Sequence, residues 1–173
     1  MKVIVICGGN SAEKEISVKS GLAIFSAVKK KYKSEILFLK DDFSIIDKHY
    51  ENGDIIFNAL HGGYGEDGKI QSFFEERNYG FIGSNSKSCK IAIDKTKCKF
   101  FAKSINIPVP FSRIYNQDLS AIDDFDQSFI IKPNTEGSSV GFRKNLSKIK
   151  ALKFLEKNKQ KEMMIEELII GRE

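Results

Sequence analysis

The run Asp54-Ile55-Ile56-Phe57-Asn58-Ala59-Leu60 leads straight into His61-Gly62-Gly63-Tyr64-Gly65-Glu66-Asp67-Gly68. The first stretch has the length and apolar character of a buried strand; the second holds four glycines, a histidine and two carboxylates. From about Lys69 to Asn78 the period changes to that of a helix, with Ile70, Phe73 and Phe74 on one side. Strand, glycine-rich loop and helix in that order place the loop at the C-terminal edge of a parallel strand, where open α/β sheets bind ligands. A glycine-rich loop alone is often only a surface turn. Here the glycines allow close backbone approach, while His61, Glu66 and Asp67 are residue types that orient and polarise a polar substrate.

The same alternation extends upstream. Lys2 to Cys7 is a short β-branched run that feeds the turn Gly8-Gly9-Asn10-Ser11. Val18, Leu22, Phe25 and Val28 then form one apolar helical stripe, closed by Lys29-Lys30-Lys31, where cations suit a helix C-terminus. Glu35 to Leu39 reads as another strand. Strands alternating with helices predict an α/β domain with a parallel sheet covered on both faces, over residues 1–93. A second domain, 94–173, opens with a lysine-rich helix from Lys95 to Ile105, ended by Pro108 and Pro110. Strands are predicted at Phe111–Tyr115, Phe129–Lys132, Val140–Lys144 and Met163–Glu167, and a helix at Lys148–Lys157 with Ser147 as its cap. Gly171-Arg172-Glu173 follows an apolar run with no polar tail or closing helix, so the chain is expected to stop inside this α+β domain.

Composition removes several classes. The chain has 173 residues, 41% hydrophobic and 29% charged, with 14 Phe and no Trp, which is globular rather than disordered or fibrous material. No apolar run approaches the roughly 18 residues of a membrane span, and the apolar run between Lys2 and Gly8-Gly9 is shorter than the core expected of a signal peptide. No membrane partner and a cytoplasmic location are expected. Cys7, Cys89 and Cys98 are odd in number and lack CxxC spacing, which points to plain buried thiols rather than a disulfide framework or zinc site. The net charge of +5 rests mostly on scattered lysines, with Arg only at 77, 113, 143 and 172, a poor basis for a nucleic-acid partner.

Two further segments carry chemistry. Lys132-Pro133-Asn134-Thr135-Glu136-Gly137-Ser138-Ser139-Val140-Gly141 puts a lysine at a strand end, followed by a Gly- and Ser-rich turn whose N–H groups and hydroxyls can close over a triphosphate. It lacks the GxxxxGK[ST] order of a Walker loop. Downstream, Glu166 and Glu167 end a strand, and Glu173 lies a few residues beyond. Such carboxylates beside an apolar slot can accept from the adenine amino group and the ribose hydroxyls.

Together these stretches resemble the D-alanine:D-alanine ligase family of the ATP-grasp superfamily. The resemblance runs from Val3 to Glu173. It is carried by Gly8 to Ser17 (GGNSAEKEIS), by His61 to Ser72 (HGGYGEDGKIQS), by Ile93-Asp94-Lys95, where the family usually has Met-Asp-Lys, and by Lys132-Pro133, Glu136 to Gly141 and Ile165 to Glu173. The second block is the most specific. The implied fold is a Rossmann-like parallel-sheet N-terminal domain followed by an incomplete ATP-grasp domain.

The resemblance implies ATP-dependent ligation of two D-alanines through an acyl phosphate, for peptidoglycan precursor synthesis and hence cell wall and cell shape. It implies that Glu13 anchors the ammonium of the first D-alanine and that His61, with Gly62, lies near its carboxylate. Ser138 would link the substrate site to the phosphate lid. Lys95 and Lys132 would hold ATP phosphates within an ATP site that also includes Glu136, Gly137, Ser139 and Glu167, with Glu166 and Leu168 at the adenine and Glu173 at the ribose. His49 and the Phe100-Phe101 stripe match no family position and are read as surface and core. Magnesium or manganese is implied, with ligands expected in a further domain beyond residue 173, and a homodimer is among the assemblies allowed. The 173-residue piece alone is therefore expected to have little or no ligase activity. The alternative reading is a non-catalytic nucleotide-binding remnant or half of a split ATP-grasp ligase.

Overall fold

The computed structural model describes residues 1–117, 119–125, 128–138, 141–144 and 146–172. The chain divides into two compact units, Met1–Ile91 and Ala92–Glu173.

In the first unit β1 (Val3–Gly8) is central, flanked by β2 (Ser34–Leu39) and β3 (Ile55–Asn58); β4 (Gly80–Ile82) lies outside β3, and every pairing is parallel. All six residues of β1 are buried, as its unbroken apolar sequence requires of a strand covered on both faces. Alternation sorts them. Ile4 and Ile6 join Leu37, Leu39, Ile56 and the Ile70–Phe74 side of α2 (Lys69–Glu76), whereas Val3, Val5 and Cys7 face Ile24, Phe25 and Val28 of α1 (Lys14–Val28).

The contact face of α1 differs from the expected stripe. Leu22 is exposed, and the fully buried positions are Ser17 and Gly21. A Cβ on Gly21 would lie 2.4 Å from the Cys7 Cβ, so small residues let the helix backbone sit close to β1, and the larger apolar residues pack around that contact. The three-residue strand β4, a 3-10 turn at Ser44–Lys48 and α3 (Ser86–Ile93) are elements that sequence periodicity did not reveal.

The second unit is built on an antiparallel sheet. Its sheet order is β5 (Ser112–Tyr115), β8 (Met163–Glu167), β6 (Phe129–Pro133), β7 (Arg143–Lys144), with α4 (Lys95–Ser104) before it and α5 (Lys148–Lys157) between β7 and β8. Ala151 and Leu155 of α5 pack with Ile131, Met163, Ile165, Phe125 and Phe129. Only Arg143 and Lys144 of the strand expected at Val140–Lys144 pair with β6, and Val140 lies outside the described residues. Ser147 occupies the N-cap position of α5 without a side-chain capping bond.

Three other expectations are corrected. Only Cys7 is buried; Cys89 is half-buried and Cys98 exposed, because the last two sit on helices that bury none of their residues. Phe100 and Phe101 are 76% and 55% exposed rather than core, since α4 is held to its unit by polar contacts from Lys95, Thr96 and Lys99. His49 is partly covered, its Nδ1 2.5 Å from Glu35 Oε1. No helix among the described residues is long and apolar enough to cross a membrane.

Candidate functional site

In the first unit, chemistry gathers where β1 and β3 end. The buried Ser17 hydroxyl accepts from the Gly8 N–H at 2.9 Å and donates to the Ala59 carbonyl at 2.8 Å, tying both strand exits to α1. The Ser11 hydroxyl donates to the His61 carbonyl at 2.6 Å and accepts from the Glu13 N–H at 3.1 Å. Gly62 has φ +65°, and a Cβ there would lie 2.7 Å from Glu13 Oε2. Glu13, buried at the start of α1, and Gly62 of the glycine-rich loop are therefore neighbours, although 49 positions separate them in the sequence. His61 Nε2 lies 3.1 Å from Ser20 Oγ, and its Nδ1 lies 4.0 Å from Glu66 Oε1. Beneath the loop, the Asn58 and Gln71 amides both donate to the Gly65 carbonyl at 2.9 Å, which fixes the turn on the sheet.

Ser11, Ser17 and Ser20 carry this arrangement and were not picked out from the sequence. Their signal is present in Ser11 to Ser20: hydroxyls at 17 and 20 fall on one face of a helix whose N-terminus faces the strand exits.

The second unit brings three lysines and a glutamate together. Glu166 on β8 stands opposite Ile130 of β6, so Lys132 is its diagonal neighbour on the same face. The Lys132 ammonium donates to Glu166 Oε1, and the Lys99 ammonium of α4 donates to Glu166 Oε2. Lys95, one helical turn before Lys99, donates to the carbonyls of Asn134 at 3.2 Å and Glu136 at 2.6 Å. Burial pushes the Glu166 carboxyl up, but hydrogen bonds and charge from Lys132 and Lys99 outweigh it and hold the group below the usual glutamate range. Lys95 is pulled below the ordinary lysine value, first by burial and then by the positive charge of Lys132. A covered ammonium beside a second cation makes Lys95 a favourable partner for an anion.

Lys95 and Lys132 line a cavity of about 250 Å³ with Pro133, Glu136, Gly137, Ser138 and Phe142. Ser138 sits in the left-handed region at φ +47°, a sharp backbone turn at one of the residues that line the cavity. One Glu136 oxygen accepts from Lys161 at 2.6 Å; the other is buried with no hydrogen-bond partner among the described residues. Glu166 and Glu167 do not act as a pair. Strand alternation turns Glu167 the other way, where it accepts from the Phe111 N–H at 3.3 Å. The Leu168 N–H donates to the Ser128 carbonyl. Ser139 and Glu173 lie outside the described residues. Lys99 and Asn134 belong to this cluster, and the sequence pattern assigned a role to neither, although Asn134 lies within the Lys132 to Gly141 segment. Among the described residues, no three His, Cys, Asp or Glu are arranged to hold a metal ion.

No protein-family model matches the chain. The D-alanine–D-alanine ligase of Carboxydothermus hydrogenoformans is 36% identical over 184 residues, covering all of this chain and 59% of that protein. The chain is homologous to the D-alanine–D-alanine ligases. It spans about three-fifths of the length of the curated relatives it matches. The crystal structure of the D-alanine–D-alanine ligase from Bacillus anthracis superimposes with a TM-score of 0.87 at 30% identity, covering 99% of this chain and 58% of that one. The same enzyme complexed with ATP gives 0.83 at 28% identity, with coverages of 99% and 60%. The α/β architecture, one parallel and one antiparallel four-stranded sheet, matches these ligase structures.

Proposed function

We propose that this chain provides the nucleotide grip and the first-substrate contacts for ATP-dependent joining of two D-alanines into D-alanyl-D-alanine, a cytoplasmic step toward peptidoglycan. The observation that carries this reading is the cavity in the second unit, where Lys95 and Lys132 face a backbone turn through Gly137 and Ser138. Homology to ligases, one of them solved with ATP, supports it.

In the proposed reaction, the carboxylate of one D-alanine attacks the γ-phosphate, forming an acyl phosphate and ADP. The amine of a second D-alanine then attacks the acyl carbon and phosphate leaves. Such a reaction asks the protein mainly to position groups and neutralise charge. Lys95 and Lys132 would do so at the phosphates, with Glu136, Gly137 and Ser138 lining the same cavity and Ser139 completing the phosphate contacts. Glu166 and Leu168 would bound the adenine and Glu173 would complete the nucleotide site, whereas the Glu167 side chain, turned to the other strand face and accepting from the Phe111 N–H, would not reach it. In residues 1–93, Glu13 would hold the first ammonium, with His61 and Gly62 at the carboxylate. The described residues do not fit magnesium or manganese: both Glu166 oxygens are occupied by lysines, and no step is assigned to a metal.

Calorimetric titration of the 173-residue chain with ATP, with and without D-alanine, tests this reading. ATP binding that Lys132→Met weakens about tenfold or more, together with a thermal shift on adding D-alanine that Glu13→Gln abolishes, is expected. A chain that binds neither ligand overturns it.

A further inference from the structure

Lys99 is given no role by the reading above, yet it is among the more covered lysines of the second unit. Its side chain is 14% exposed and that of Glu166 is 9%. A lysine is rarely covered to that extent unless its ammonium is paired. Lys99 stands one turn beyond Lys95 on α4 and reaches the Glu166 oxygen that Lys132 leaves free, so one carboxylate is shared by two cations. Lys132, 22% exposed, lines the cavity; Lys99 and Glu166 are not among its lining residues and connect to it through Lys132.

This asymmetry has a consequence for any anion entering the cavity. An incoming phosphate competes with Glu166 for the Lys132 ammonium. Were Lys132 the only partner of Glu166, its departure would leave a covered carboxylate unpaired, which is costly. With Lys99 in place the carboxylate keeps a charge-assisted partner, and Lys132 can turn to the phosphate.

We propose that Lys99 is a positioning residue for the phosphate grip: it stays on Glu166 as a fixed counter-cation and so frees Lys132 to exchange from Glu166 to a phosphate. This rests on the nucleotide reading of the cavity but assigns a residue and an exchange which that reading does not contain. The exchange involves only hydrogen bonds and ion pairs.

The test uses inorganic tripolyphosphate, which probes the phosphate grip without adenine contacts, and ATP as the control for the nucleotide reading, both titrated calorimetrically into the 173-residue chain. Lys99→Met is expected to weaken tripolyphosphate about tenfold, and Lys99→Arg to retain most of the affinity. The decisive arm is Glu166→Gln. Once the carboxylate is neutral, Lys132 needs no release, so Lys99→Met/Glu166→Gln should bind tripolyphosphate within about twofold of Glu166→Gln alone. A general structural role for Lys99 would not be cancelled by Glu166→Gln. The proposal is overturned if Lys99→Met binds tripolyphosphate like the wild type, or if its loss persists in the Glu166→Gln background. A wild-type chain that binds neither ATP nor tripolyphosphate fails differently, removing the nucleotide reading and this inference with it.

Discussion

The side-chain carbonyl of Asn134 accepts from both the backbone N–H and the hydroxyl of Thr96, each at 3.1 Å. Its amide donates to Asp94 Oδ1 at 3.0 Å and to Glu162 Oε2 at 2.6 Å, and its backbone carbonyl takes the Lys95 N–H at 3.1 Å. One residue, 1% exposed, thereby joins the end of β6 to the start of α4 and sets where Lys95 stands. Asn134→Ala would leave several of these groups unsatisfied and is expected to cost about 2–4 kcal/mol in urea unfolding. Asn134→Asp would place a third carboxylate beside Asp94 and Glu162 and should be worse at neutral pH, recovering partly in mild acid. A near-neutral Asn134→Ala would show that α4 is held in place by other contacts.

Gly21 illustrates how closely α1 approaches β1. An added methyl would sit 2.4 Å from the Cys7 Cβ and 2.7 Å from its Sγ, distances that force the helix outward. Gly21→Ala should raise helix propensity yet destabilise the protein, by about 1–3 kcal/mol. Cys7→Ala removes the sulfur but keeps the Cβ, so the double variant should recover little of that loss. Thermal melts of the three variants decide this, and full rescue by Cys7→Ala would mean that the sulfur alone limits the approach.

Much of this was legible from the sequence because the fold depends on patterns that repeat. Unbroken apolar runs gave β1 and β3, the 3.6-residue period gave α2, and glycines marked the turn after β3. Positions missed depend on partners far away in the chain. The packing face of α1 follows from Gly21 meeting Cys7, and no stripe of large residues signals a helix seated on its small ones. Phe100 and Phe101 looked like core because they are large and adjacent, whereas the inward side of α4 is polar. Likewise Lys99 reads as one lysine among many until α4 is folded beside β8, and Glu166 and Glu167 read as a pair until the strand turns them to opposite sides.

At the N-terminal edge of the parallel sheet, Lys2, Glu35, His49 and Asp54 form a charged cluster away from the candidate site. Lys2 Nζ donates to Glu35 Oε2 at 3.2 Å and to the His49 carbonyl at 2.6 Å, and lies 3.8 Å from Asp54 Oδ2. Partial burial raises the Glu35 carboxyl, but hydrogen bonds and charge from Lys2 and His49 bring it below its ordinary value of 4.5. A carboxyl depressed in the folded state binds its proton more readily when unfolded, so its stabilising contribution is present above that ordinary value and is lost as pH falls through the folded one. The melting temperature of the wild type should therefore exceed that of Glu35→Gln above pH 4.5, and the margin should close as pH falls below it. A margin unchanged by acid would assign the effect of the substitution to packing instead of charge.

Gly62 gives a test that separates the two halves of the proposed chemistry. Its φ of +65° already disfavours a side chain, and a methyl there would stand 2.7 Å from Glu13 Oε2 and 3.3 Å from the Ser11 Cβ and hydroxyl. Gly62→Ala must displace the Glu13 carboxylate or distort the turn, at a cost of about 1–3 kcal/mol. If Glu13 receives the ammonium of D-alanine, Gly62→Ala should abolish the D-alanine thermal shift as Glu13→Gln does. ATP binding, which draws on residues of the second unit, should stay within about twofold of wild type. The opposite pattern, a preserved D-alanine shift with Glu13 displaced, would remove Glu13 from the substrate contacts and leave the glycine-rich loop with a structural task only.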